Sequence, residues 1–274
     1  MTGAAANHPR ARLVALLRRA GLLDLFDRMK FIWLCRQWRE ANEVFRKAHP
    51  DFPTPPLALA YDAYAHIDLK SYHDLGLSHA RFIASLIAQH SAVTKPRVLE
   101  WGCGPARVLR HLPGLLPAGS EVHGTDYNPA TVAWCQATLP HLQVVANQLE
   151  PPLPFPDGQF DAVYVLSVFT HLSEAIHRAW SAELVRLLKP GGILVVTTHG
   201  DRYRRAELLP AEQAAYDRGE LVVRGQVQEG KKWYAAFHPP VYVRTTLFPG
   251  LTECAHHPSP LANSLEQDVW VFRK

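Results

Sequence analysis

The hydrophobic positions of this chain change period along its length. From residue 10 to 47 they recur at helical spacing. Leu13, Leu16, Leu17 and Ala20 share one face, and after Gly21 the series Leu22, Leu25, Phe26, Met29 and Trp33 continues it. The other face carries Arg18, Arg19, Asp27, Arg28 and Lys30. This predicts helices whose apolar stripe packs on a larger body, with a solvated basic face, because acids interrupt the basic run. The alternative reading is a weak membrane-surface contact or a grip on nucleic acid. HPDFPTPP, at 49–56, excludes regular helix, since proline fixes φ and lacks a donor, and it reads as a linker. The expected division is therefore a helical N-terminal extension and linker over 1–56 and a main domain over 57–274. Helical spacing resumes over 74–90.

From Arg97 the period alternates. RVLEW, EVHGTD, LQVVAN, FDAVYVL and GILVVTTH read as strands, with helix-like stretches RVLRHLPGLL, PATVAWCQATL and EAIHRAWSAELVRLL between them. KPGG stops the last helix before its strand. Such alternation implies an α/β fold with a mostly parallel sheet, helices on both faces and ligands at the carboxyl ends of the strands. Residues 201–238 read as an insertion in which ELVVRGQ and KWYAAFH flank a QEG turn and pair as a hairpin. A short helix, PPVYVRTTLF, and two strands, LTECAHH and QDVWVFRK, complete the chain.

Composition narrows the class. Of 274 residues, 47% are hydrophobic and 20% charged, ordinary for a packed domain. The four cysteines are scattered without a C-x-x-C pair, which argues against a disulfide framework or zinc site and fits a reducing compartment. No stretch approaches the roughly 20 apolar residues that span a bilayer, and the expectation is a cytoplasmic protein without a metal. Net charge is +4, but residues 1–50 hold ten Lys or Arg against four acids.

The chemistry concentrates in VLEWGCGPAR, residues 98–107. A strand, a G-x-G turn and a helix could receive a pyrophosphate. Arg107, however, stands where a dinucleotide fingerprint has its third glycine. Glu100 would also repel phosphate by about 4 kcal/mol at 4 Å and an effective dielectric near 20. The same carboxylate attracts an ammonium. Asp126, closing the next strand, is placed to accept hydrogen bonds from both ribose hydroxyls of an adenosine. A nucleoside carrying an amino acid rather than a pyrophosphate satisfies both acids, and S-adenosylmethionine is such a molecule.

VLEWGCG, GTDYNPATV, PLPFPDGQFDAVYVLSVFTHL and LVRLLKPGGILVVTTH, in that order, resemble the successive motifs of class I S-adenosylmethionine-dependent methyltransferases of the small-molecule type. The resemblance covers about residues 80–200. It implies a Rossmann-like seven-stranded sheet with an antiparallel C-terminal strand. It also implies that Glu100, Gly102 and Gly104, with Arg107 beside them, hold the methionine end. Asp126 binds the ribose and Tyr127 lies against the adenine. Asn147 and Gln148 sit near the adenine amino group, where the family's usual residue is acidic. Ser167 faces the methyl region. A hydroxyl acceptor needs a base, and His171 and His199 end strands on the expected side, with His238 a weaker third. Acceptor contacts are expected from Tyr61, Tyr64, Tyr72, Tyr203, Phe237 and His238, with the insertion as a cap. The implied activity is methylation of a small molecule, a sugar or natural-product hydroxyl foremost, by a monomer or homodimer that binds no nucleic acid. The competing readings are a nicotinamide-dependent oxidoreductase, a nucleic-acid methyltransferase and a non-catalytic cofactor-binding protein. The first is weakened by Glu100, Arg107 and the lack of a Tyr-x-x-x-Lys pair. The second is weakened by YVLSVF where an Asn/Asp-Pro-Pro-aromatic motif belongs, and the third by the intact acids and glycines.

Overall fold

The computed structural model describes residues 14, 16–18, 20–259 and 265–274. Much of the predicted Leu13–Ala20 turn, including Leu13 and Arg19, lies outside the described residues. A seven-stranded sheet in the order β3-β2-β1-β4-β5-β9-β8 forms the centre of the molecule. Its strands are β1 (Arg97–Trp101), β2 (Glu121–Asp126), β3 (Gln143–Ala146), β4 (Phe160–Val165), β5 (Leu188–Thr198), β8 (Thr252–His257) and β9 (Asp268–Arg273). The pairs of β1 with β2 and β4, of β2 with β3 and of β4 with β5 are parallel. β9 runs antiparallel to both of its neighbours, as the resemblance implies. Every residue of β4 is buried, which suits the apolar run of a parallel strand covered on both faces.

Two apolar layers cover the sheet. On one side α4 (Leu69–His90) contributes Ala80, Ile83, Leu86 and Ile87, joined by Val132 and Cys135 of α5 (Pro129–Thr138). On the other, α6 (Glu174–Leu187) contributes Trp180, Leu184 and Leu187. Local chemistry sets the starts of these helices. Asn128 caps α5 by accepting from the Ala130 amide with Pro129 at the first position, and the Ser173 hydroxyl caps α6. The strand order reverses direction between β1 and β4, so the carboxyl ends of β1, β2 and β4 open a crevice there.

Several expectations change. The stretch after β1 is not an α-helix but a run of turns ending in a 3₁₀ segment, Leu109–Gly114, because Pro105 and Pro113 each remove a donor and fix φ. PPVYVRTTLF forms a helical turn, Pro240–Tyr242, that widens into a π segment, Val243–Leu247. β5 begins directly at Leu188, so KPGG lies inside the strand as an irregular start rather than as a loop.

The insertion pairs its hairpin as the alternation predicts. β6 (Val222–Arg224) and β7 (Ala235–Phe237) run antiparallel with Val222 opposite Phe237. Two helices precede them, α7 (Asp201–Glu207) and α8 (Pro210–Asp217), and Leu208, Tyr216, Val222 and Phe237 form a small core of their own.

The N-terminal stripe is the largest correction. In α1 (Leu23–Gln37) the buried residues are Leu23 and Leu34, and Leu34 packs with Phe31 and Trp38 against Tyr61 and Ile67. The stripe expected to pack on the domain faces outward instead, with Leu25, Met29 and Trp33 at 57%, 63% and 59% exposure. The helix is apolar on two sides, and the side with fewer large residues is the one that docks. α2 (Arg39–Ala48) is anchored through Asn42, whose side chain donates to the Ile67 carbonyl and accepts from the Leu69 amide, between α3 (Leu57–Tyr64) and α4.

Candidate active site

A cavity of about 550 Å³ occupies the crevice at the strand ends. Its wall includes Glu100, Gly102, Gly104, Arg107, Asp126, Tyr127, Asn147, Gln148 and Ser167, so the structure brings together all nine residues assigned to the cofactor.

Glu100 sits at the end of β1, 3% exposed, directly across from Tyr164 of β4, whose phenol donates to its Oε2 at 2.7 Å. Burial pushes its pKa up to about 8, and the Tyr164 hydrogen bond and the Arg107 guanidinium only partly oppose this. Such a carboxyl is ready to exchange its proton for a cationic partner. Asp126 ends β2 and is also buried; its Oδ2 accepts from the Gly104 amide at 2.8 Å and its Oδ1 from the Asn128 amide at 2.8 Å. Burial raises its pKa while these two amides hold it down. Each carboxylate oxygen keeps an acceptor site beyond these bonds. Asp126 therefore ties the glycine turn to β2 and still presents oxygen to the cavity.

The glycines are required by close approach. Gly102 has φ +76°, and a Cβ there would lie 2.3 Å from the Val168 side chain. Gly104 has φ +53°, and its Cβ would meet the Tyr64 hydroxyl at 2.9 Å and Ala63 at 3.1 Å. Tyr64, expected to touch the acceptor, thus sits over the glycine turn: its hydroxyl accepts from the Arg107 amide at 3.3 Å and its ring carries the Arg107 guanidinium at 4.5 Å.

At the far end of the cavity, Asn147 follows β3. Its Nδ2 donates to the Gln148 carbonyl, whereas its buried Oδ1 has no partner among the described residues. That acceptor suits an amino-group donor such as the adenine amine, so an acidic residue is not needed there. Tyr127 donates to the Gly230 carbonyl at 3.1 Å. These features fit S-adenosylmethionine along its length: carboxylates for the ammonium and the ribose, close glycine backbone between them, and an unpartnered acceptor at the base.

Ser167 follows β4 in a left-handed conformation, φ +63°, which costs a serine about 1–3 kcal/mol. Hydrogen bonds hold it there. Its amide donates to Thr197 Oγ1 at 2.7 Å, and its hydroxyl receives Gln267 Nε2 at 2.7 Å. Thr197 and Gln267 line the cavity but were not anticipated. Thr197 ends β5 and obeys the same strand-end rule as Glu100 and Asp126. Gln267 precedes an antiparallel strand, so its start rather than its end reaches the site.

Both predicted histidines line the cavity. His171 Nδ1 contacts the Tyr234 carbonyl at 2.8 Å, and His199 Nδ1 contacts the Ala236 carbonyl at 3.1 Å. A carbonyl only accepts, so each Nδ1 carries the proton and each Nε2 is left as an acceptor. Among the described residues neither Nε2 has a hydrogen-bond partner. Burial lowers the pKa of His171. Burial, reinforced by His171, takes His199 down to about 3. Both rings are therefore neutral near pH 7. Tyr203 also lines the cavity and stacks on His199 with ring centres 4.0 Å apart.

Four expected acceptor contacts do not reach this cavity. Tyr61 is 5% exposed and donates to the Asp27 carboxylate at 2.7 Å, fastening α1 to α3. Tyr72 is buried, donating to the Pro105 carbonyl under the glycine turn. Phe237 belongs to the insertion's core. His238, fully buried, stacks on His177 at 5.1 Å, where burial drives its pKa far down. In each case packing claims the aromatic face before a ligand can.

The loop between β6 and β7 forms a strap over the cavity. Gly230 donates to the His171 carbonyl at 2.9 Å, Lys231 pairs with Asp62 at 3.7 Å, and Lys232 pairs with Asp27 at 2.8 Å. Arg18 secures both ends of the strap, donating to the carbonyls of Arg224 and Trp233 at 2.7 Å each. Lys232 and Asp62 line the cavity and were likewise not anticipated. Among the described residues no group of His, Cys, Asp or Glu is arranged to hold a metal ion.

Residues 99–196 match a family model described as a methyltransferase domain. A probable S-adenosylmethionine-dependent methyltransferase of Mycolicibacterium smegmatis is 34% identical over 101 residues, 37% of each chain. A phthiotriol/phenolphthiotriol dimycocerosates methyltransferase of Mycobacterium ulcerans is 36% identical over 115 residues, 40% of each chain. The chain thus spans about two-fifths of the length of these curated relatives. Among solved structures, the glycopeptide N-methyltransferase MtfA complexed with S-adenosylhomocysteine superposes with a TM-score of 0.51 at 19% identity, covering 72% of this chain and 88% of that one. That likeness is one of fold.

Proposed function

Residues 99–196 are a class I S-adenosylmethionine-dependent methyltransferase domain, and on that premise we propose that the chain moves a methyl group from S-adenosylmethionine to a hydroxyl of a small-molecule acceptor. The observation that carries the proposal is the pair of buried carboxylates, Glu100 and Asp126, flanking a glycine turn in the same cavity as two neutral histidines.

When bound, S-adenosylmethionine supplies an electrophilic methyl group on a sulfonium. Glu100 takes the ammonium of its amino-acid end, and Asp126 accepts from the ribose hydroxyls. Asn147 Oδ1 accepts from the adenine amine. Tyr127 and the strap residue Gly230, bonded to each other, close the nucleoside end against water. Alignment of acceptor and methyl can remove roughly 7–11 kcal/mol of barrier. His171 Nε2 receives the proton that the acceptor hydroxyl releases. It is the better base of the two, because a histidine brought down to about 3, as His199 is, has little affinity for a proton. His199 and Tyr203 form the wall beside it. The insertion 201–238 acts as the acceptor cap, and residues 57–274 are the unit that carries the reaction.

The test is calorimetry with S-adenosylmethionine and S-adenosylhomocysteine, followed by a homocysteine-release screen across hydroxylated and amine acceptors. Micromolar binding and turnover with a hydroxyl compound are expected. A folded protein giving no heat with either nucleoside sinks the reading.

A further inference from the structure

We propose that the outward side of α1 docks on an anionic membrane surface. Leu22, Leu25, Phe26, Met29, Ile32 and Trp33 stand between 36% and 63% exposed. At 3.6 residues per turn they fall within an arc of about 120°. This arc lies across the helix from the Leu34 side that packs on the domain. A contiguous apolar strip of this kind marks a partner surface rather than scatter.

Charge selects the occupant. Arg28 and Arg36 lie on or beside the strip, exposed and without an ion-pair partner among the described residues. Asp27 is turned away, engaged with Lys232 and Tyr61. Residues 1–50 as a whole hold ten basic side chains against four acidic ones. An apolar strip carrying tryptophan and bordered by arginine matches the boundary between lipid headgroups and acyl chains. A second copy of the chain is a poorer occupant. A twofold contact along α1 would bring Arg28 and Arg36 near their own mates. One helix of 15 residues also offers a strip only about 22 Å long, short of the roughly 800 Å² per partner of a stable interface. Residues 1–13 have only Met1 and Leu13 as large apolar side chains to lay over the strip, and they bring Arg10 and Arg12 besides.

The docked face is next to the cavity. Phe26 meets the Trp233 ring edge-on at 6.2 Å, and Asp27 holds the cavity-lining Lys232. A membrane against α1 would therefore lie along the rim of the strap. If the cavity transfers methyl groups, which rests on the function proposed above, a lipophilic acceptor could enter from the bilayer without crossing water.

The experiment is co-sedimentation of the full chain with vesicles of mixed phosphatidylcholine and phosphatidylglycerol, against pure phosphatidylcholine. Binding to the mixed vesicles should exceed binding to the neutral ones by at least tenfold and weaken with salt. Arg28→Glu with Arg36→Glu should weaken it by roughly fivefold or more per residue. Met29→Glu with Trp33→Glu should abolish it even at low salt. Both variants should keep the melting temperature and S-adenosylhomocysteine affinity of the parent, since all four side chains are exposed. The proposal is overturned if the parent ignores the mixed vesicles at low salt, or if Met29→Glu with Trp33→Glu binds them as well as the parent. It is also overturned if light scattering shows a dimer, split by that variant, in place of vesicle binding. Cofactor affinity in vesicle-free buffer separates the two readings. A chain that binds the nucleoside but no vesicle overturns the docking alone, and one that binds vesicles but no nucleoside overturns only the methyl transfer.

Discussion

Binding of S-adenosylhomocysteine should expel a proton from Glu100. In the free protein burial sets this carboxyl near pKa 8, so at pH 7 it holds about 0.9 of a proton. The ligand's ammonium, placed against it, favours the ionised form and draws the pKa below 7. Binding at pH 7 should then release between about 0.4 and 0.9 of a proton. The sign follows from linkage: the free form binds more protons than the complex, so affinity rises with pH, by up to about tenfold per unit, and levels off near pH 8. Calorimetry in buffers of differing ionisation enthalpy measures the release as the slope of observed heat against buffer enthalpy. Glu100→Gln should flatten the slope and the pH dependence together. Tyr164→Phe removes the donor that partly stabilises the ionised carboxylate, so its affinity plateau should move to higher pH. A wild-type slope near zero would show that Tyr164 and Arg107 already hold Glu100 ionised. An equal slope in Glu100→Gln would place the released proton elsewhere. Either result refutes the reasoning.

Three further outcomes follow from the geometry. Asp126→Ala should weaken nucleoside binding at least tenfold, since charge-assisted hydrogen bonds are worth about 1.5–3 kcal/mol each, and titration calorimetry reads this directly. It should also loosen the Gly104 turn, seen as faster amide exchange there. Gly104→Ala places a methyl against Tyr64 at positive φ; a thermal melt should show a loss of about 1–3 kcal/mol. His171→Asn should cut kcat by roughly 10²–10⁴-fold with nucleoside affinity unchanged. Because the pKa of His171 is lowered below its usual 6.5, the base stays neutral on acidification. At saturating cofactor, kcat should fall on acidification only with a midpoint below 6.5, and a midpoint above 6.5 would remove His171 from the role.

The sheet was legible in the sequence because strand-like and helix-like stretches alternate after Arg97; RVLEW and EVHGTD coincide with β1 and β2 to the residue. The cofactor end was legible because strand ends and glycine turns carry chemistry in short local motifs. The acceptor side was not. Tyr61, Tyr64, Tyr72 and Phe237 look alike as aromatic letters, and only the packing shows that one faces the cavity while three fill cores. The direction of α1 was hidden for a related reason. Its apolar residues cover two sides, so periodicity established a helix without saying which side meets the domain. Gln267 left no signal at all, since it enters the site from the start of the antiparallel strand.

Both cavity histidines are oriented by main-chain oxygens, Tyr234 and Ala236, two residues apart on one extended segment and therefore pointing to one edge. No side-chain replacement removes a carbonyl; even proline keeps it. The side chains of the insertion can therefore change without disturbing the tautomers of these two histidines. Residue 236 is itself an alanine, so the carbonyl that holds His199 does so without help from a longer side chain of its own. Deleting the residue between them would put the two carbonyls on opposite edges of the strand and release one of the rings. On the function proposed above, the shape of the insertion and the orientation of the two histidines are therefore set by separate parts of the chain, side chains for the one and main chain for the other.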